Sequence, residues 1–204
     1  MSGPVQSDAD TDADADLAET TIESRVIHRG RTMTFRVDTI ERTDGSRHQR
    51  EIVGHPGAVA IVALDDADNL LLVRQFRTAA GGVLLEIPAG TLDVDEATGA
   101  LEEPDGAARR ELEEETGFRA RTWRSLGSFW TAPGFATERM YLYLAGELEA
   151  AGDGRLGPDE DEALMLVRLP WREALAATED GRIVDAKSIV GILRLARLRM
   201  SDPA

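Results

Sequence analysis

The chain has 204 residues, of which 42% are apolar and 30% charged, and it carries a formal net charge of −15. Its length suits one ordinary domain with an appendage, and its charge argues against a general nucleic-acid binder or a membrane-surface protein. Any phosphate-bearing ligand would need metal ions or a local cluster of arginines.

Six of the acids (Asp8, Asp10, Asp12, Asp14, Asp16 and Glu19) stand in residues 1–20, and removing them takes −15 to −9. That stretch has almost no large apolar residues and is expected to be a disordered, solvated acidic tail. Residues 21–55 are expected to form an N-terminal strand region and 56–200 the main domain. There is no cysteine, so disulfides and thiolate metal sites are excluded. The N-terminus lacks the basic and apolar regions of a signal peptide, and no apolar run approaches the roughly 20 residues of a membrane span. The expected location is the cytoplasm.

In chain order, Ile22 to Ile40 alternates apolar and polar residues in places and runs into the hairpin signal Thr43-Asp44-Gly45-Ser46, with Arg47 to Val53 as the return strand. The unbroken apolar run Ala58 to Leu64 and the stretch Leu70 to Phe76 suit buried strands. Val83 to Ile87 is a short strand closed by Pro88-Ala89-Gly90. Pro104 stands where a helix can start, Ala107 to Thr116 is its body, and Gly117 fits the residue just past its end. Arg121 to Trp130, Glu138 to Leu148 and Leu164 to Leu169 read as strands, and Trp171 to Ala177 and Ala186 to Arg199 as helices. Strands in the middle, one inserted helix and helices at the end predict an α+β or layered α/β/α domain.

Glu111, Glu114 and Glu115 stand at i, i+3 and i+4 and so share one helical face, with Ala108 and Leu112 on the opposite, buried face. Like charges at this spacing repel, and a hard divalent cation would offset them. Mg²⁺ or Mn²⁺, which prefer carboxylate oxygens, are the expected ions. The plain alternative is a solvated acidic surface.

The run Arg110-Glu111-Leu112-Glu113-Glu114-Glu115-Thr116-Gly117-Phe118 resembles the second half of the Nudix hydrolase box, R-E-U-x-E-E-x-G-U with U a bulky apolar residue, at every fixed position. The first half departs from it. Gly90 leads after five residues to Glu96, whereas seven residues back from Arg110 stands Glu102, which implies a six-residue insertion within Asp93 to Leu101. Loops tolerate insertion better than helices do. Glu102 is therefore preferred as the box glutamate, with Glu96 as the alternative. The resemblance implies a Nudix-like α/β/α sandwich with a mixed sheet and an N-terminal antiparallel hairpin region. It also implies Glu111 and Glu115 as metal ligands with Glu114 assisting, Arg110 holding the cluster by ion pairing, and the Ala89 carbonyl as a further ligand.

The context Thr131-Ala132-Pro133-Gly134-Phe135-Ala136-Thr137-Glu138 resembles the ADP-ribose pyrophosphatase branch of that family, as do Arg74-Gln75-Phe76-Arg77, Leu85-Glu86-Ile87-Pro88-Ala89-Gly90 and Gly181 to Lys187. Such enzymes cut ADP-ribose into AMP and ribose 5-phosphate with Mg²⁺. By this resemblance Arg77 contacts the diphosphate or the distal ribose. Arg50 and Glu51 help bind adenosine or phosphate, and Pro133, Gly134 and Glu138 contribute to the substrate site. Phe35 either stacks on adenine, from a partner subunit of a homodimer, or is a core or interface aromatic. The catalytic base is expected in Asp159-Glu160-Asp161-Glu162, with Glu162 preferred and Glu160 second. The rival readings are another nucleoside diphosphate sugar or dinucleotide as substrate (GDP-mannose, NADH), a non-catalytic nucleotide-sensing domain, and an acidic interaction protein.

Overall fold

The computed structural model describes residues 16–95, 97–152, 156–157 and 163–201. The chain divides into two compact units: residues 1–55 with 132–137, and residues 56–131 with 138–204.

The first unit is a three-stranded antiparallel sheet in the order β1-β2-β3, formed by β1 (Glu19–Arg29), β2 (Thr34–Arg42) and β3 (Arg47–Gly54). The expected single run from Ile22 to Ile40 is thus two strands. The Gly30 N–H bonds to the Met33 carbonyl at 2.8 Å and closes a turn over Arg31 and Thr32. Because β1 begins at Glu19, Glu19 and Thr20 belong to a strand and not to the tail. Residues 1–15 lie outside the described residues. The Asp44-Gly45 turn forms as the sequence indicates: Gly45 has φ +78° and its N–H bonds to the Arg42 carbonyl. Residues 132–137 dock along β3, where the Val53 N–H bonds to the Phe135 carbonyl at 2.7 Å and the Thr137 N–H to the Val53 carbonyl at 3.0 Å.

The second unit is built on a mixed sheet of seven strands. Its main path is β10 (Leu164–Pro170), β5 (Asn69–Arg77), β4 (Ala58–Leu64), β9 (Arg139–Ala150) and β8 (Phe118–Trp130). In addition β6 (Gly82–Glu86) pairs with β5, and the three-residue β7 (Ala89–Thr91) pairs with β4. Among the described residues of this sheet, the β4–β9 pairing is parallel and the others are antiparallel. Every residue of β4 is buried, and its alternation shows why the sequence there is apolar without a break. Ala60 and Val62 face one core with Leu72, Ile87, Leu142, Trp171 and Ile192. Val59, Ile61 and Ala63 face the other core with Leu71, Ala107, Ala108 and Leu112. Helix α1 (Pro104–Thr116) covers the second face, and α2 (Trp171–Glu179) and α3 (Ala186–Ser201) the first. This unit is therefore the α/β/α layered domain that the sequence indicated. No helix among the described residues is long and apolar enough to cross a membrane.

Helix α1 begins and ends on the local signals. Pro104 occupies its first turn, and Gly117 follows it in the left-handed conformation (φ +72°), its N–H closing on the Glu113 carbonyl. Leu112 and Ala108 are fully buried, which turns Glu111, Glu114 and Glu115 to the remaining flank.

Candidate active site

The site in the second unit is assembled by α1 and the Pro88-Ala89-Gly90 turn. Glu111 and Glu115, one helical turn apart, are each only 8% exposed. Both carboxylates reach that turn. Glu115 Oε2 accepts the Ala89 N–H at 3.0 Å, and a Cβ placed on Gly90 would lie 1.9 Å from the Glu111 carboxyl carbon. With Glu111 in this position only glycine fits, and a larger residue would push the end of the Glu111 side chain away from the turn.

Arg110 binds the group together. Its Nη1 donates to Glu111 Oε1 and to Glu114 Oε2, both at 2.8 Å, and its Nη2 donates to Glu102 Oε2 at 2.9 Å. Burial works against the charge of Arg110, but its bond to Glu102 and the charges of Glu111 and Glu102 outweigh it. Its pKa is raised above the ordinary guanidinium value. Burial pushes the Glu102 carboxyl up, but the bonds from Arg110 and from the Asp93 N–H prevail and hold it low.

The segment between Asp93 and Glu102 explains how Glu102 gets there. The Glu102 N–H bonds to the Asp93 carbonyl at 2.8 Å, and Val94 bridges to Leu101. The excursion closes on itself, so Glu102 follows Asp93 in space as if the inserted residues were absent. Glu96 lies outside the described residues.

The expected metal ligands meet a condition that the sequence did not reveal. Among the described residues, no three His, Asp or Glu side chains are arranged as a ready metal site. Arg110 draws Glu111 and Glu114 together, and the Ala89 N–H holds one oxygen of Glu115. The donor set still fits a hard divalent cation. Two nearly buried carboxylates converge on one backbone turn, and the glycine in that turn lets the Glu111 carboxylate lie directly against the backbone.

Arg77 ends β5, where its Nε and Nη2 donate to Glu86 Oε1 and Oε2 at 3.0 and 2.7 Å. Glu138 accepts a hydrogen bond from the Thr131 hydroxyl. The first unit holds Phe35, Arg50, Glu51, Pro133 and Gly134. There Arg50 is ion-paired with Glu19 of β1, Phe35 is half-buried and paired with Val53, and Glu51 and both loop residues are exposed. The expected bases Glu160 and Glu162 lie outside the described residues.

Two groups were missed from sequence. Glu86, only 1% exposed, joins Arg77 to Lys187; the signal available was an acid inside an otherwise apolar strand. Glu113 accepts two hydrogen bonds from Arg119 and one from the Leu156 N–H. No spacing rule could have found that grouping.

The NUDIX domain family pattern matches residues 54–189. The chain belongs to the Nudix family. It is 38% identical over 176 residues to an ADP-ribose pyrophosphatase of Bacillus subtilis (strain 168), covering 86% of this chain and 91% of that one. It is 39% identical over 174 residues to a methanol dehydrogenase activator of Bacillus methanolicus, covering 85% and 90%. Among solved structures, one described as an ADP compounds hydrolase superposes with a TM-score of 0.75 at 26% identity, covering 90% of this chain and 95% of that one. Nudix hydrolases generally work with divalent metal ions, and the Glu111–Glu115 pair supplies oxygen donors suited to one.

Proposed function

We propose that this Nudix protein is a Mg²⁺-dependent pyrophosphohydrolase that cleaves ADP-ribose. One water is consumed as a P–O bond of the diphosphate breaks, giving AMP and ribose 5-phosphate. The observation that carries this reading is the convergence of Glu111 and Glu115 on the Pro88-Ala89-Gly90 turn, with Arg110 holding Glu111 and Glu114. The choice of ADP-ribose is supported by the Bacillus subtilis relative and by the solved ADP compounds hydrolase.

Glu111 and Glu115, with Glu114 assisting and the Ala89 carbonyl alongside, are the groups that would hold the cation. A bound divalent ion would offset the diphosphate charge and lower the pKa of the attacking water. Arg110 keeps the acidic helix face intact by offsetting its repulsion. Arg77 meets the diphosphate, a needed positive charge in a chain of net charge −15. Arg50, Glu51, Phe35, Pro133, Gly134 and Glu138 contribute to substrate recognition, and Glu162, or Glu160, takes the proton from water. A cytoplasmic homodimer is the working form. The association of two copies is supported by the exposure of Ile22, Val26 and Ile27 along β1.

The test is turnover of ADP-ribose, GDP-mannose, NADH and diadenosine polyphosphates by the purified protein with Mg²⁺. ADP-ribose is expected to give the highest kcat/KM. Turnover of another compound far above ADP-ribose overturns the substrate assignment, and no turnover of any of them overturns the enzyme reading.

A further inference from the structure

Glu86 is a carboxylate with 1% exposure at the end of β6, in a place where its neighbours Leu84, Leu85 and Ile87 are apolar. Two cations hold it. Arg77 clasps both of its oxygens edge-on, through Nε at 3.0 Å and Nη2 at 2.7 Å. Lys187, the single lysine of the chain, contacts Oε2 from the first turn of α3 and is itself held by Asp185 Oδ2 at 3.0 Å. The same turn of α3 is pinned to the end of β6, because the Ile87 N–H donates to Ser188 Oγ at 2.8 Å and the Ser188 N–H donates to Asp185 Oδ2 at 3.1 Å. Burial raises the Glu86 pKa, but the two cations outweigh it and keep the group ionised, below the usual carboxylate range.

A buried ion pair is a poor way to gain stability, since apolar residues of similar volume often serve as well or better. What it does supply is geometry. A guanidinium held by two parallel bonds cannot rotate in its plane. Arg77 is fixed in this way on its Nε edge while its side chain remains 38% exposed. A pre-oriented cation of this kind binds an anion without first losing side-chain freedom.

We infer that Glu86 is a positioning residue for the substrate's diphosphate: it fixes the plane of Arg77, and Lys187, anchored through Asp185 at the start of α3, fixes Glu86. The inference rests on the reading that places Arg77 against the diphosphate. Glu86 itself touches no substrate. Its effect falls on KM, through Arg77, and not on the metal-bearing helix.

The experiment measures kcat and KM for ADP-ribose with Mg²⁺ in the wild type, Arg77→Ala, Glu86→Gln and the double variant, with a thermal melt of each. Glu86→Gln is expected to raise KM about tenfold, the loss of a charge-assisted bond's worth of binding, with kcat within about twofold. In the double variant KM should equal that of Arg77→Ala, because a residue acting through Arg77 has nothing left to position. If Glu86→Gln does not fold, Glu86→Asp keeps the charge but is one methylene too short to clasp both nitrogens, and it should raise KM in the same direction. If Arg77→Ala raises KM while Glu86→Gln and Glu86→Asp leave it unchanged, or if the two effects multiply in the double variant, the positioning role is overturned. If Arg77→Ala leaves KM unchanged, the placement of Arg77 on the diphosphate falls, and the inference with it. A lowered melting temperature with unchanged KM assigns Glu86 to structure alone.

Discussion

Arg110 and Glu102 are joined by two hydrogen bonds, Nη2 to Oε2 at 2.9 Å and Nε to Oε1 at 3.3 Å. Glu102 thereby sets the position of the guanidinium that also holds Glu111 and Glu114. Glu102→Gln removes one of these bonds, because the amide nitrogen cannot accept from the guanidinium, and takes away the charge behind the other. The expected result is a fall in kcat of about tenfold, in the range found when a group supporting a metal ligand is changed. Glu96→Gln should leave kcat within about twofold of wild type. Steady-state kinetics of the two variants decides which glutamate belongs to the site; equal losses in both would refute the assignment of Glu102.

That assignment could be approached from sequence because it depends on counting. Pro104, Gly117 and the spacing of Glu111, Glu114 and Glu115 are local signals, and the helix and its acidic face were legible from them. The two-faced burial of β4 was legible for a similar reason, since a strand covered on both sides must be apolar at every position. Pairings across sequence distance were not legible. The break of Ile22 to Ile40 at Gly30 lacks an Asn-Gly or Asp-Gly turn signal. The clasp of Glu86 by Arg77 comes from the β5–β6 register, and the ion pair of Arg50 with Glu19 spans 31 residues. Such contacts follow only once strands are paired.

Asp38 offers a pH test within the first unit. It is buried and accepts hydrogen bonds from the Ser24 hydroxyl at 2.6 Å and from Arg36 Nε at 2.9 and 3.1 Å. The Ser24 bond leads the causes that hold its pKa below the ordinary carboxylate value; burial opposes it, and Arg36 adds to it. A depressed folded pKa gives stability that is fully present above the unfolded value of about 3.9 and is lost as pH falls through the lower folded value. Urea unfolding of wild type and Asp38→Asn should therefore show a stability gap at pH 7 that narrows below about pH 4. A gap that stays constant down to pH 3 would count against the role given to this carboxylate.

Glu115→Gln separates charge from shape. Glutamine can still accept the Ala89 N–H through its amide oxygen, so the helix should dock on the Pro88-Ala89-Gly90 turn as before. What disappears is one negative oxygen donor. With ADP-ribose, kcat is expected to fall at least about 10²-fold, because metal ligation stabilises the transition state by several kcal/mol. Calorimetric titration should show weaker Mg²⁺ binding in the variant. Chelation with EDTA should abolish wild-type turnover, and added Mg²⁺ should restore it. Wild-type activity that survives exhaustive chelation would refute the metal role.

Gly90→Ala tests the closest approach in the site. The added methyl would lie 1.9 Å from the carboxyl carbon and from Oε1 of Glu111, and 2.3 Å from its Oε2, so one side must move. The backbone at Gly90 is held by β7, whose Gly90 pairs with Val59 in the fully buried β4. The Glu111 side chain is the softer partner and should swing away from the turn, pulling on its bond to Arg110. The core beneath α1 is formed by Leu112, Ala107 and Ala108 and is untouched, so the fold should persist with a melting temperature lowered by only a few degrees. Catalysis should suffer far more. A ligand displaced by about 1 Å can cost about 10²-fold, and that is the fall in kcat expected here. A variant that keeps near-wild-type kcat would mean that Glu111 need not lie against this turn for the reaction to proceed. The metal site would then have to be drawn around Glu115 and Glu114.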